Sequence, residues 1–204
     1  MRFFYIFLIS IFCAFPFTTA AQSNLSDGPY TSQVRLALSE KPARFDFMQL
    51  RILYAQTSHY DPLGDETLGA MNDYAYIVLN DPDQEKVKTA LFVYQALVSN
   101  HLAHVGVVMQ ALSLARQDKR FGKPEFFEWV RDGLVRTVVI SGDGYTLRGA
   151  YDVITLPEEG LLFSRLGFER LQTQEAQEGA TYYSVHDVLT SETCLLYTSD
   201  AADE

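Results

Sequence analysis

Cysteine is nearly absent. The 204 residues hold two, Cys13 and Cys194. The first sits in an apolar N-terminal run and the second close to the C-terminus, so the long interior has no thiol. That excludes a disulfide framework, a cysteine nucleophile and a cysteine zinc site there. Positive charge is also scarce: 16 Lys and Arg face 26 Asp and Glu, a formal charge of −10. An acidic chain lacks the basic footprint of sequence-independent nucleic-acid binding. Low-complexity stretches and long charge blocks are missing too, so disorder is expected only over Gln22–Tyr30 and at the C-terminus. The familiar catalytic signatures do not occur. Residues 139–143 read Val-Ile-Ser-Gly-Asp, not Gly-x-Ser-x-Gly. No phosphate loop, His-Glu-x-x-His pattern or dinucleotide fingerprint is present.

What is present begins at the N-terminus. Met1-Arg2 is basic, Phe3–Phe17 is almost wholly apolar, and Thr18-Thr19-Ala20-Ala21-Gln22 brings small residues. This is the pattern of a secretory signal peptide over residues 1–21, cleaved after Ala20 or Ala21. The apolar run is shorter than the roughly 20 residues that span a bilayer, so no stable membrane insertion is expected after cleavage. At the other end, residues 194–204, beginning Cys194-Leu-Leu-Tyr-Thr-Ser, read as the translation of a transposase-type sequencing adapter. The natural chain is then expected to be interrupted near Thr193. Without Arg2, Asp200, Asp203 and Glu204 the balance is 15 basic to 23 acidic residues, or −8. Residues 22–193 suit a single α+β domain.

Within that domain residues 32–140 read as helical and 141–193 as a sheet region. Phe47, Leu50, Leu53, Tyr54 and Thr57 form one helical stripe. Pro62 and Gly64 break it, and a second helix is expected over about Glu66–Leu79. Asp81 reads as an N-cap, with Pro82 at the first helical position and Gln84 as its reciprocal partner. The apolar face of that third helix is Val87, Ala90, Leu91, Tyr94, Leu97 and Val98. A fourth helix turns Leu102, Val105, Val108, Met109, Leu112 and Ala115 inward. A fifth, from Pro124, carries Phe127, Val130, Leu134 and Val138. The third and fourth together have the length of one tetratricopeptide-type hairpin, about 34 residues, without a second copy. The period then changes. Ala150–Ile154, Phe168–Gln174 and Thr181–Leu189 read as strands, with a polar turn over Glu175–Ala180. A helix lies between the first two, with Thr155 as N-cap, Glu158 completing a capping box and Gly167 as its stop. The expected fold is α+β: an antiparallel helical bundle, weakly tetratricopeptide-like, followed by a small antiparallel sheet with one helix.

Two turns carry the candidate chemistry. In Tyr60-Asp61-Pro62-Leu63-Gly64-Asp65, the carboxylates of Asp61 and Asp65 can converge near His59, while Asp65 also suits an N-cap. In Ser141-Gly142-Asp143-Gly144, the glycines allow close backbone approach, and Asp143 can orient a ligand or be plain turn chemistry. A calcium loop would need further acids, which Tyr145, Leu147 and Gly149 do not supply. His101 and His104, three apart on one helix, are weak metal candidates without an identifiable third ligand. No cofactor is implied. Glu158 and Glu159 are accounted for by capping and by the helix dipole.

The order of landmarks is informative. Phe47-x-x-Leu50-Arg51 precedes Tyr60-Asp-Pro-x-Gly64. A helical hairpin, Ile140-Ser-Gly-Asp-Gly144, Ala150-Tyr-Asp-Val-Ile154 and Glu158-Glu159 follow. In this order the chain resembles an uncharacterised family of secreted bacterial proteins defined by a domain of unknown function (number 4919). The chain departs from it at Leu63 and at Gly160–Leu161, where the family commonly has aromatics. The resemblance implies an extracytoplasmic bacterial protein, periplasmic by preference. It points to Tyr60, Asp61, Gly64, Ser141, Gly142, Asp143 and Gly144 as any shared site, and brings no reaction with it. The function expected is a non-enzymatic interaction module for an envelope protein or peptide, with no nucleic acid. The alternative is an envelope hydrolase using Asp143 with Asp61 or Asp65, with or without a metal.

Overall fold

The computed structural model describes residues 4–10, 28–40, 42–146, 148–178 and 181–190. The fold is α+β with its helical region first. It divides into two compact units, one of Pro16–Thr137 and one of Met1–Phe15 with Val138–Glu204.

The first unit is helical. Its elements are α1 (Gly28–Glu40), α2 (Phe47–Tyr54), α3 (Asp65–Asn80), α4 (Gln84–Asn100), α5 (Val105–Gln117), a 3-10 turn over Lys119–Phe121, and α6 (Pro124–Val139), whose last two residues belong to the second unit. Helix α1 was not anticipated at its start. Gly28-Pro29-Tyr30 already has helical form, and Tyr30 is buried. Proline near the first helical position was the signal, because its missing N–H costs nothing there.

Helix α4 starts later than expected. Asp83, not Asp81, is its N-cap and accepts from Glu85 N–H and Lys86 N–H. Asp81 instead accepts the Asp83 N–H at 2.8 Å, turning the chain into the helix. In Asp-Pro-Asp both acids suit a cap, and the second one wins.

The expected stripes form the core. Phe47, Leu50 and Tyr54 on α2, Val87, Ala90, Tyr94 and Val98 on α4, and Phe127, Val130 and Leu134 on α6 are all buried. Fully burying a side chain of this size stabilises by roughly 1.5–3 kcal/mol. Helix α5 departs from a one-sided stripe. Val105, Val107, Val108, Ala111, Leu112, Leu114 and Ala115 are buried, while Met109, expected inward, is 42% exposed. A helix covered on most of its circumference spreads its contacts. Accordingly the main helical hairpin is α3 with α4, and α4 with α5 touch less.

The second unit contains β1 (Phe4–Ser10), β2 (Tyr151–Val153), α7 (Leu156–Leu166), β3 (Phe168–Glu178) and β4 (Thr181–Thr190). The sheet order is β2-β1-β4-β3. Strands β3 and β4 pair antiparallel, as expected for a hairpin, with a register shift between Arg170 and Gln172. Strand β1 pairs antiparallel with β4 and parallel with β2, so the sheet is mixed where an antiparallel one was expected. Phe4–Ser10, read as the apolar centre of a leader, forms this strand in the full-length chain; cleavage after Ala20 or Ala21 would take it away from β2 and β4. Periodicity cannot separate the two for a short continuous apolar run. The remainder of residues 1–21 lies outside the described residues, as do residues 191–204. The core of this unit is Val138, Tyr151, Val153, Leu162, Phe163 and Val188, with Val139, Leu166 and Phe168 packed against it.

Candidate functional site

The Tyr60–Asp65 turn connects α2 to α3. Pro62 keeps Asp61 out of helical backbone, and Gly64 caps α3 in the left-handed conformation, φ 79°. The Asp61 carboxylate is engaged on both oxygens. Oδ1 accepts the Gly64 N–H at 2.8 Å, and Oδ2 accepts the Thr67 hydroxyl at 3.0 Å. Burial works to raise the Asp61 carboxyl, but the Gly64 N–H, the Thr67 hydroxyl and the facing His104 and His101 together hold it below the ordinary value. Asp65 does not join it. It is exposed, in the first turn of α3, where a carboxylate complements the helix dipole.

Beneath the turn, two tyrosines that the sequence does not single out, Tyr54 and Tyr30, meet residues that it does. The Tyr54 hydroxyl, fully buried, is 3.0 Å from His101 Nδ1, accepts the Asp61 N–H at 3.2 Å and reaches the His59 carbonyl at 3.4 Å. The Tyr30 ring of α1 packs at a tilt against Tyr54, and its hydroxyl accepts the Ala103 N–H at 3.3 Å. The Tyr60 ring meets Tyr54 edge-on at 5.6 Å. Burial raises both the Tyr30 and the Tyr54 phenols far above the ordinary range, so both remain neutral.

His101 and His104 are not on one helix. His101 is the C-cap of α4 and His104 the N-cap of α5, so a tight joint separates them. His104 is 0% exposed, and its Nδ1 accepts the Val107 N–H at 3.2 Å. Its Nε2 has no hydrogen-bond partner and lies against Gly64, where an added Cβ would come within 2.6 Å of Cε1 and Nε2. Burial pushes His101 down to about 4 and lowers His104 as well. Among the described residues no group of three or more His, Cys, Asp or Glu is arranged to hold a metal ion.

The Ser141–Gly144 turn belongs to the other unit. Its polar groups are used locally. The Ser141 hydroxyl donates to the Val138 carbonyl at 2.7 Å and accepts the Asp152 N–H at 2.8 Å. Asp143 N–H and Gly144 N–H both donate to the Gly149 carbonyl at 2.8 Å. A Cβ on Gly142 would come within 2.4 Å of the Gly149 carbonyl oxygen, so the glycine permits backbone to lie on backbone. Gly144 has φ 74°, and Asp143 accepts the Tyr145 N–H at 3.0 Å while remaining exposed. This hydroxyl is engaged as donor and as acceptor, which is turn chemistry rather than an activated nucleophile.

A third polar group lies between α7 and the sheet. The capping box is displaced: Glu158 accepts the Ile154 N–H at 2.8 Å, and the Thr155 hydroxyl makes no cap bond. Glu159, read from sequence as a helix-dipole residue, is buried and accepts Arg170 at 2.9 Å. His186, opposite Thr173 in the β-register, is 2.9 Å from the Thr173 hydroxyl through Nδ1. His186 Nε2 is 3.4 Å from Glu159. Burial pushes His186 down to about 4 and raises Glu159, so the contact sets a neutral imidazole beside the carboxylate. These partners come from three elements, and no local spacing announces them.

Comparison with protein-family models, with curated proteins and with solved structures finds no match.

Proposed function

We propose that the chain is a non-enzymatic interaction module of the bacterial cell envelope, exported by its N-terminal leader, whose helical hairpin takes an envelope protein or peptide. The observation that carries this reading is the outer surface of α3 and α4. Tyr76 is 69% exposed, Leu79 one turn further along α3 is 41% exposed, and Phe92 on α4 is 72% exposed. Single exposed apolar residues are ordinary, but two large ones a turn apart on one face, with an aromatic on the paired helix, supply the anchors that interfaces favour. The internal engagement of Asp61 and Ser141 supports the same reading, since groups consumed by a turn are not poised for chemistry. The leader pattern and the resemblance to secreted bacterial proteins support the compartment, with the periplasm preferred. No described helix is long and apolar enough to cross a membrane.

The test is site-specific photo-crosslinking in intact cells from Tyr76 and Phe92, with exposed Lys86, about 120° around α4 from Phe92, as the reference position. The reading predicts a discrete crosslinked product from the two aromatic positions and none from Lys86. Equal labelling from all three positions, or from none, contradicts it.

A further inference from the structure

We infer that His101 and His104 make the α4–α5 joint an acid-operated catch, in which protonation of the two imidazoles releases the Tyr60–Asp65 turn. The argument starts from hydrogen-bond roles. His104 caps α5 by accepting the Val107 N–H on Nδ1. A protonated imidazole has no acceptor, so charging His104 turns the cap into two donors facing each other. The neutral tautomer this requires carries its proton on Nε2, the atom packed against Gly64. His101 meets the Tyr54 hydroxyl through Nδ1 at 3.0 Å, and the same hydroxyl holds the Asp61 N–H. With the Tyr54 proton given to Nδ1, its oxygen accepts from Asp61. Charging His101 makes Nδ1 a donor, so the Tyr54 hydroxyl must turn its proton to the His59 carbonyl at 3.4 Å, and a charge is left buried at the joint.

Both imidazoles therefore sit at the ends of chains of contacts that lead into one turn. His104 reaches it through Gly64, and His101 through Tyr54 and Asp61. The groups facing them are Tyr30 from α1, Tyr54 from α2, His59, Tyr60 and Asp61 from the turn, and each other across the joint. Of these only Asp61 favours the charged imidazoles. Burial outweighs it for both, and each histidine also disfavours charge on His101. Opening the turn to water relieves all of these penalties, so protons and opening favour one another. The device does not depend on which partner the helical hairpin binds.

Hydrogen exchange on the full chain, corrected for the intrinsic pH dependence of exchange, tests it. The amides to follow are Asp61, Gly64 and Val107, with Val130 and Leu134 inside α6 as references. Protection at the first three is expected to fall at least about tenfold between about pH 6.5 and about pH 5, since each proton taken up on opening contributes up to a decade per pH unit. The α6 references exchange through global unfolding and are expected only to follow the fall in global stability, from a higher protection than the three turn amides. Unchanged protection at the turn, or protection there equal to that of α6 at every pH, overturns the proposal. His104→Asn keeps an acceptor for the Val107 N–H without titrating and is expected to flatten the response. Should that variant not fold, direct titration of the two imidazoles in the unaltered chain decides. Both must remain neutral at about pH 6, and titration near the ordinary imidazole value of about 6.5 overturns the catch.

Discussion

Gly64 is held by two independent constraints. Its φ of 79° belongs to the left-handed region, and its missing Cβ is the space against which the His104 ring packs. Gly64→Ala is expected to destabilise the protein by at least about 2 kcal/mol, from left-handed strain of about 1–2 kcal/mol and displacement of a buried ring. Denaturant unfolding measures it, and a loss below about 0.5 kcal/mol would show that the turn relaxes freely. Tyr54 is the second such residue. Tyr54→Phe leaves His101 Nδ1 and the Asp61 N–H without this partner, and should cost about 1–3 kcal/mol by the same measurement. The two residues differ in how readily sequence reveals them. Asp61-Pro62-Leu63-Gly64 announces a turn locally, through proline and glycine. Tyr54 meets His101 across 47 positions, which no spacing rule reaches, and on its own helical stripe it reads simply as core. The same holds for His186 with Glu159.

Helices were readable where one apolar face decides them, as in α6, where every residue of the expected stripe is buried. Their ends were less so, because capping signals recur within a few residues. Asp81 and Asp83 offered the same chemistry, and only the chain path chose between them. Asp83→Ala is expected to cost about 1 kcal/mol, in the range of an N-cap removal, and more than Asp81→Ala. Thermal unfolding of the two variants side by side checks it; an equal or reversed order would return the cap to Asp81. The pair β3 and β4 was legible from alternation, but the turn was placed too early: β3 continues through Glu178, over most of the Glu175–Ala180 segment read as the turn. The role of Phe4–Ser10 as a strand was not, since a short apolar run satisfies a leader and a buried strand equally.

At the scale of the whole molecule, acid sensitivity follows from the histidines. His101 and His186 are pushed down to about 4, and burial lowers His104 too. Each is neutral in the fold and takes up a proton near 6.5 when unfolded. Their contribution is therefore fully present above about pH 6.5 and is lost as the pH falls toward about 4. Asp61, held below its ordinary value, adds a loss in the same direction at lower pH. Glu159, raised by burial, works the other way and offsets part of it. The melting temperature should be level between about pH 8 and 7 and decline below about 6.5. A level profile down to pH 4.5 would remove this account of the buried imidazoles.

The reading of the molecule as a binding module rests on the outer surface of the α3–α4 hairpin and is decided by Phe92→Ser. Phe92 is 72% exposed, so its replacement should leave the melting temperature within the range of ordinary surface substitutions, about ±0.5 kcal/mol in stability. The account predicts that crosslinking in intact cells from Tyr76 is lost in this variant while the fold is kept. Crosslinking that persists unchanged in the folded variant would contradict it.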